Sequence, residues 1–236
     1  MGTPDIHFRT LFILNDDGRI LSTREPGATR GPLFSLVRNA TSCTWGVRSD
    51  LPDALAHELD RLAGEEPTTA NLREAPVHAD RYVTLVGAYV GVDPATLVKV
   101  HHSAGPAFTF PEVLPHPTDV MVVDDEQGLH PHFRGWIPGE ITAGRSPVLA
   151  IVEEGSPVSI CFCARRSDTA AEAGLETAAA FRGRGLGPRV AAAWALAIRG
   201  TGRVPLYSTD WHNAASLSVA HKLGLVAYAS SWSLSE

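Results

Sequence analysis

Three glycines at alternate positions, in the run Arg182-Gly183-Arg184-Gly185-Leu186-Gly187, constrain this chain more than any other feature. They stand between a strand-like segment, Ala173 to Ala180, and a helix-like one, Leu186 to Arg199, whose apolar stripe is Leu186, Val190, Trp194 and Ala197. A glycine-rich turn from a strand into a helix lets backbone N–H groups and the positive helix end converge on an anion. Arg182 and Arg184 add positive charge beside it, and absent Cβ atoms let a phosphate approach. The alternative is a strand-to-helix turn that binds nothing.

Known phosphate loops can be tested against these residues. A Walker loop needs Lys followed by Ser or Thr after its last glycine, whereas Pro188 and Arg189 follow Gly187. A dinucleotide fingerprint, counted from Gly183 or Gly185, meets Pro188 or Val190 at its third glycine. The pattern R/Q-x-x-G-x-G/A is satisfied by Arg182, Gly185 and Gly187. Downstream come a strand, Val204 to Thr209, then Asn213-Ala214-Ala215-Ser216 and Ala220-His221-Lys222-Leu223-Gly224-Leu225. In this order and spacing, over about residues 118–236, the chain resembles the GNAT superfamily of acyl-CoA-dependent N-acetyltransferases.

The resemblance implies an α/β fold with a mixed sheet, and acetyl-CoA as co-substrate, without a metal. The pantetheine arm would bond the backbone near Thr177, Ala178 and Ala179, and the pyrophosphate would lie on Arg182, Gly183, Arg184, Gly185, Leu186 and Gly187. Asn213 and Ser216 would lie near the cofactor. The Ala173 to Ala180 strand would splay from Val204 to Thr209, opening a cleft for thioester and amine.

Attack on the thioester builds charge on its carbonyl oxygen, for which a strand N–H at Thr177 is the natural donor. The amine must also lose a proton, so a general base is required. Glu176 is the first candidate; Glu172, four residues earlier on the same face of a regular strand, is the second. A solvated surface carboxylate is the alternative for each, and His212 is a third candidate beside its structural alternative. Asn213 is in any case suited to cap a helix, and Gly224 to end it. Many superfamily members carry a Tyr acid four residues before the glycine matched by Gly224, where this chain has Ala220. Ser216, Tyr207 or water are the substitutes.

The expected activity is direct transfer of acetyl from acetyl-CoA to a primary amine of a small molecule or peptide, in a ternary complex. The alternative is a non-catalytic CoA-binding module whose first half senses or binds a partner. A nucleotide-phosphate enzyme is a third, weaker reading.

The first half matches no family by its motifs, and its elements come from local signals. Phe8 to Asn15 and Ile20 to Ser22 around Asp16-Asp17-Gly18-Arg19 predict a β-hairpin. Strands are expected at Leu33 to Arg38, Cys43 to Arg48 and Thr96 to His101. Helices are expected after Asp50 as cap, through Leu55, Leu59 and Leu62, and from Ala79 to Val90. Proline-rich 106–117 reads as a connection. Two domains follow: a smaller α+β unit at 1–115 and the acetyltransferase-like unit at 118–236. In the second, strands are expected at 120–123, 148–152, 158–165 and 225–234, and helices at 124–133 and 213–223.

Composition excludes other classes. The chain has 236 residues, a net charge of −6 and no basic track interleaved with aromatics, so no nucleic-acid partner is expected. The longest apolar run, Val190 to Ile198, is half the roughly 20 residues a membrane span needs, so no membrane partner is expected either. Met1 to Thr10 lacks a signal-peptide h-region, leaving a cytoplasmic address as the default, as monomer or homodimer. Cys43, Cys161 and Cys163 read as reduced buried thiols, and His101-His102 and His130-x-His132 as surface residues rather than metal ligands. The five Trp residues are expected in cores, with Trp211 able to edge the cleft.

Overall fold

The computed structural model describes residues 2–27, 29–129, 132–133 and 136–236. Its first element is a helix, α1 (Pro4–Leu11), where the first arm of a hairpin was expected to begin. Thr3 accepts the N–H of Ile6, and Pro4 starts the helix with its fixed φ. The hairpin itself is present but shorter, with β1 (Phe12–Leu14) antiparallel to β2 (Ile20–Thr23). Phe8, Leu11 and Phe12 pack with Ile20, Val37, Ala107 and Ala229, and that long-range core decides the helix over an extended arm.

Next come β3 (Phe34–Arg38), β4 (Cys43–Val47), α2 (Asp53–Gly64) and α3 (Ala79–Val90). Asp50 does not cap α2: Pro52 holds the cap position, and Asp50 takes the Nε of Arg48 at 2.7 Å. The expected strand at Thr96 to His101 is instead α4 (Pro94–His101). The Asp93 side chain accepts the N–H groups of Ala95 and Thr96, a capping signal followed by proline that outweighs the β-branched residues. The strand starts one residue later, as β5 (His102–Thr109), and takes in Pro106, so 106–109 is not part of a connection.

The second half runs β6 (Val120–Val122), β7 (Leu149–Glu153), β8 (Ser156–Arg166), β9 (Ala170–Thr177), α5 (Leu186–Gly200), β10 (Val204–Ser208), α6 (Ala214–Lys222) and β11 (Val226–Leu234). Of the helix expected at 124–133, a single 3-10 turn, Glu126–Leu129, is found. His130 and Pro131 lie outside the described residues.

Nine strands form one mixed sheet in the order β4-β3-β11-β5-β10-β9-β8-β7-β6. β5 lies inside the sheet, antiparallel to both β10 and β11, so strands from before and after position 115 share one hydrogen-bonded ladder. Alternation along the strands separates the two faces. Tyr207 joins the core under α5 and α6, with Trp194, Val190 and Ala220, and Trp232 joins that of α2 to α4, with Phe34, Tyr82 and Leu97. Ser208, Ala107 and Ala229, in register with one another through β5, look the other way, towards α1. On that second face Trp136, Phe133 and Ile141 cover Ile160 and Phe162 of β8.

Beyond β10 the backbone of Thr209 crosses β5 so closely that a Cβ on Gly105 would stand 1.7 Å from the Thr209 carbonyl oxygen. The crossing is held by Thr209 N–H donating to Pro106 O at 3.3 Å and Trp211 N–H to Ala104 O at 3.2 Å. Only backbone can move to relieve a side chain there. Gly105→Ala is therefore expected to lower stability by about 2–3 kcal/mol in urea unfolding, at the upper end for overpacked sites.

Candidate active site

β9 and β10 are the parallel pair of the sheet, in register at Val204 with Ala170, Pro205 with Ala171 and Leu206 with Glu172. Pairing stops there, although β9 continues to Thr177 and β10 to Ser208. The strands thus part after Glu172, as expected for this pair, and open a cleft at the carboxyl ends of two parallel strands.

The glycine-rich loop stands at the mouth of that cleft. A 3-10 turn, Ala179–Phe181, leads from β9 into it, and Gly185 is the N-cap of α5 with no side chain to offer the helix. Gly183 and Gly185 have φ of 78° and 77°, the left-handed region. A Cβ on either would meet nothing within 4 Å, so backbone conformation rather than lack of space reserves both positions for glycine. The N–H groups of Gly183, Arg184 and Gly185 bond to no backbone group among the described residues. Those of Leu186 and Gly187 belong to a helix's first turn, where no intrahelical acceptor exists. Free N–H groups at the positive start of a helix are the kind of feature on which a diphosphate could be held. Leu186 contributes only backbone, since its side chain is buried under α5.

The arginines have distinct jobs. Arg182 uses its Nε to hold the Thr177 carbonyl at 3.0 Å, bracing the turn. Arg184 forms a two-pronged ion pair with Glu153 of β7, at 2.8 and 2.9 Å, and packs over Phe181. Thr177, at the end of β9, shares a 2.8 Å hydroxyl contact with Ser159. Across the cleft, Asn213 caps α6 by accepting Ser216 N–H at 3.1 Å, and Gly224 ends it at φ 63°. Tyr207 is buried, its OH donating to the Ser216 carbonyl at 3.5 Å, and burial raises its pKa. It is a packing residue. Ala220 is buried in the same cluster.

The two carboxylates of β9 differ sharply. Glu176 is exposed, opposite Ile160 in the register with β8. Glu172, far from being a solvated surface group, is 2% exposed. Its Oε1 accepts from Ser208 Oγ of β10, and its Oε2 from Arg165 of β8 at 2.7 Å. Arg165 also pairs with Glu25, beyond the hairpin. Burial by itself would raise the pKa of Glu172, but Arg165, His7 and Ser208 overcome it and hold it below the ordinary 4.5. His212 is exposed, bonded to Asp210 through Nδ1 at 3.1 Å.

Sequence reasoning missed the group around Glu172. Arg165, Ser208, His7 and Glu25 come from four separated segments, and no spacing links them. The one local sign was the alternation Ser231-x-Ser233-x-Ser235 in a strand whose other face, Trp232 and Leu234, is buried. Those serines line a cavity of about 460 Å³ with His7, Arg165 and Ser208, on the face away from α5. A second cavity, about 370 Å³, lies on the opposite face among Trp211, Trp232, His102 and Arg73, whose guanidinium sits 4.2 Å over the Trp211 ring. Among the described residues no group of three or more His, Cys, Asp or Glu could hold a metal, and no single helix is long and apolar enough to cross a membrane. Cys161 and Cys163 are buried free thiols, while Cys43 is half-buried.

Residues 149–230 match the family model described as GNAT acetyltransferase. No curated protein matches the chain. Among solved structures, a functionally unknown conserved protein from Staphylococcus epidermidis is similar over 98% of this chain and 96% of its own, at 12% identity and a TM-score of 0.50. That likeness concerns the fold of the whole chain. A GNAT-family structure from Novosphingobium aromaticivorans matches at 18% identity and TM-score 0.48 over 57% of this chain; the match spans 65% of that protein, less than two thirds. A GNAT-family acetyltransferase from Colwellia psychrerythraea matches at 12% identity and TM-score 0.48, over 94% of this chain and 79% of its own.

Because the folded pKa of Glu172 is depressed, its contribution to stability is complete above about pH 4.5 and is lost as pH falls through the folded value. Acid titration of unfolding free energy should show wild type losing stability below about pH 5, with a shallower loss in Glu172→Gln.

Proposed function

From the match of residues 149–230 to the GNAT acetyltransferase model, we propose that the protein moves an acetyl group from acetyl-CoA to a primary amine by direct transfer. One observation supports this above all: at the start of α5, which no side chain caps, N–H groups without a backbone partner among the described residues stand where β9 and β10 separate. A diphosphate on Gly183 to Gly187 would send its pantetheine arm along Thr177, Ala178 and Ala179 into the cleft. Bound acetyl-CoA supplies an activated thioester carbon.

The chain's own residues would do the rest. A backbone N–H near Thr177 faces the carbonyl oxygen as charge develops on it. Glu176, exposed on β9, is proposed to carry the amine's proton away to solvent through water. Ser216, at the start of α6, is proposed to help protonate the departing thiolate, because Ala220 and the engaged Tyr207 leave no nearby phenol free. We place the activity in the cytoplasm, where thiols such as Cys161 and Cys163 stay reduced.

Ala220 also favours a second reading, a CoA-binding module without turnover. Thiol release from acetyl-CoA over a panel of amines separates the two. Turnover with at least one amine is expected, with Gly185→Val raising KM for acetyl-CoA tenfold or more because valine resists φ near 77°. Glu176→Gln is expected to lower kcat about 100-fold at neutral pH. Tight CoA binding without turnover on any amine would establish the module instead. Thermal stabilisation by ATP but not by CoA would refute both.

A further inference from the structure

The 460 Å³ cavity lies on the face of the sheet opposite α5 and α6, at the point where β9 and β10 part. Its wall includes Ser208 and Arg165, the two side chains that hold the Glu172 carboxylate, and Glu172 belongs to the last paired couple of the two strands. A ligand there and a thioester in the cleft would meet across the sheet from opposite sides. Two features give the cavity a chemical character. Five serines, Ser103, Ser208, Ser231, Ser233 and Ser235, face it where Ala107 and Ala229 further along the same face are core. Arg165 is matched by two carboxylates, Glu25 and Glu172, which leaves that cluster one negative charge, and Asp210 on the wall adds another. Arg30, the other cation of the lining, is well exposed.

His7 is the unexplained group. It reaches the wall from α1, is 1% exposed, and its Nε2 is buried with no hydrogen-bond partner among the described residues. An orphaned ring nitrogen at this depth is costly unless something answers it. Its Nδ1 lies 3.0 Å from the Tyr228 hydroxyl. When Nδ1–H donates to that oxygen, Nε2 carries a free lone pair.

Resting on the acetyl-transfer reading, we infer that this cavity is the acceptor site, that it takes a small primary amine rich in hydrogen-bonding groups, and that His7 Nε2 receives the amine's proton. The ammonium gives one N–H proton to Nε2. The freed amine attacks the thioester carbon, the C–N bond forms, the C–S bond breaks, and the thiolate leaves as it takes the nitrogen's second proton. The amide and free CoA are the products, with the first proton resting on imidazolium until solvent removes it. Burial, with Arg165 nearby, lowers the pKa of His7 against the opposing pull of Glu172, so the ring is neutral at pH 7 and able to accept. The charged or titratable groups facing it are Glu172 on β9, Arg165 on β8 and Tyr228 on β11. Glu176 then moves water-borne protons at the exposed end of β9 rather than touching the amine.

The test uses the full chain, acetyl-CoA, and amines of matched size, amino alcohols and amino acids against alkyl- and arylalkylamines. Polar amines are expected to show kcat/KM at least tenfold above the apolar ones. His7→Gln should lower kcat at least tenfold at pH 7 and abolish the acidic limb of the pH–rate profile, with calorimetric CoA affinity unchanged. Ser103→Trp, a surface-strand change pointing into the same cavity, should raise the amine KM tenfold or more while leaving CoA affinity intact, and it decides the matter should His7→Gln not fold. Turnover with apolar amines preferred, or with amine KM and pH profile unmoved in these variants, overturns the acceptor site and leaves acetyl transfer standing. No CoA binding, or no turnover on any amine, brings down the acetyl-transfer reading itself.

Discussion

The buried carboxylate of Glu172 joins three strands at once. It takes Ser208 from its parallel neighbour and Arg165 from its antiparallel one, and through Arg165 it reaches Glu25 beyond the first hairpin. A carboxylate withdrawn from water is tolerated only when charge and hydrogen bonds replace the lost hydration, and Arg165 and Ser208 supply both here. The consequence is geometric. Backbone pairing of β9 with β10 ends at this residue, so the cleft opens at a position set by a side-chain cluster as well as by the ladder.

The second constraint is the interior place of β5. A strand from the first half sits between β10 and β11, so the cleft has walls from both ends of the chain. The glycine-rich loop and α5 belong to the second half, whereas His7, Glu25 and Ser103 come from the first. Division at about residue 115 remains our proposal for how the chain is organised, but the sheet is continuous across it. The close crossing at Gly105 shows how tightly the two parts are locked at the cavity.

Several elements were legible because their signals are local. α3 occupies 79–90 as its apolar spacing predicts, and the strand–loop–helix order from β9 to α5 follows the glycine pattern. The errors came where two local signals competed. Val98 and Val100 suggested a strand, but Asp93 and Pro94 start a helix, and the strand waits until His102. Phe8 and Leu11, three apart, share one face only of a helix, and that face packs on Ile20 and Val37.

By itself the sequence determined the loop that we propose as the donor end of the site. The loop from Arg182 to Gly187 is contiguous, and its backbone conformation depends on glycines whose positive φ other residues resist. Helix caps at Asn213 and Gly224 were equally readable, since each acts within a few residues of its partner. The cavity that we propose for the acceptor was decided only by tertiary structure. His7, Arg165, Ser208 and the serine row lie in separate segments of the chain, and burial and charge act through space, so nothing in their spacing announces that they meet. Glu172 shows this most plainly: as a letter it is an ordinary surface acid, and only the packing of α1, β8 and β10 around it makes it a buried anion.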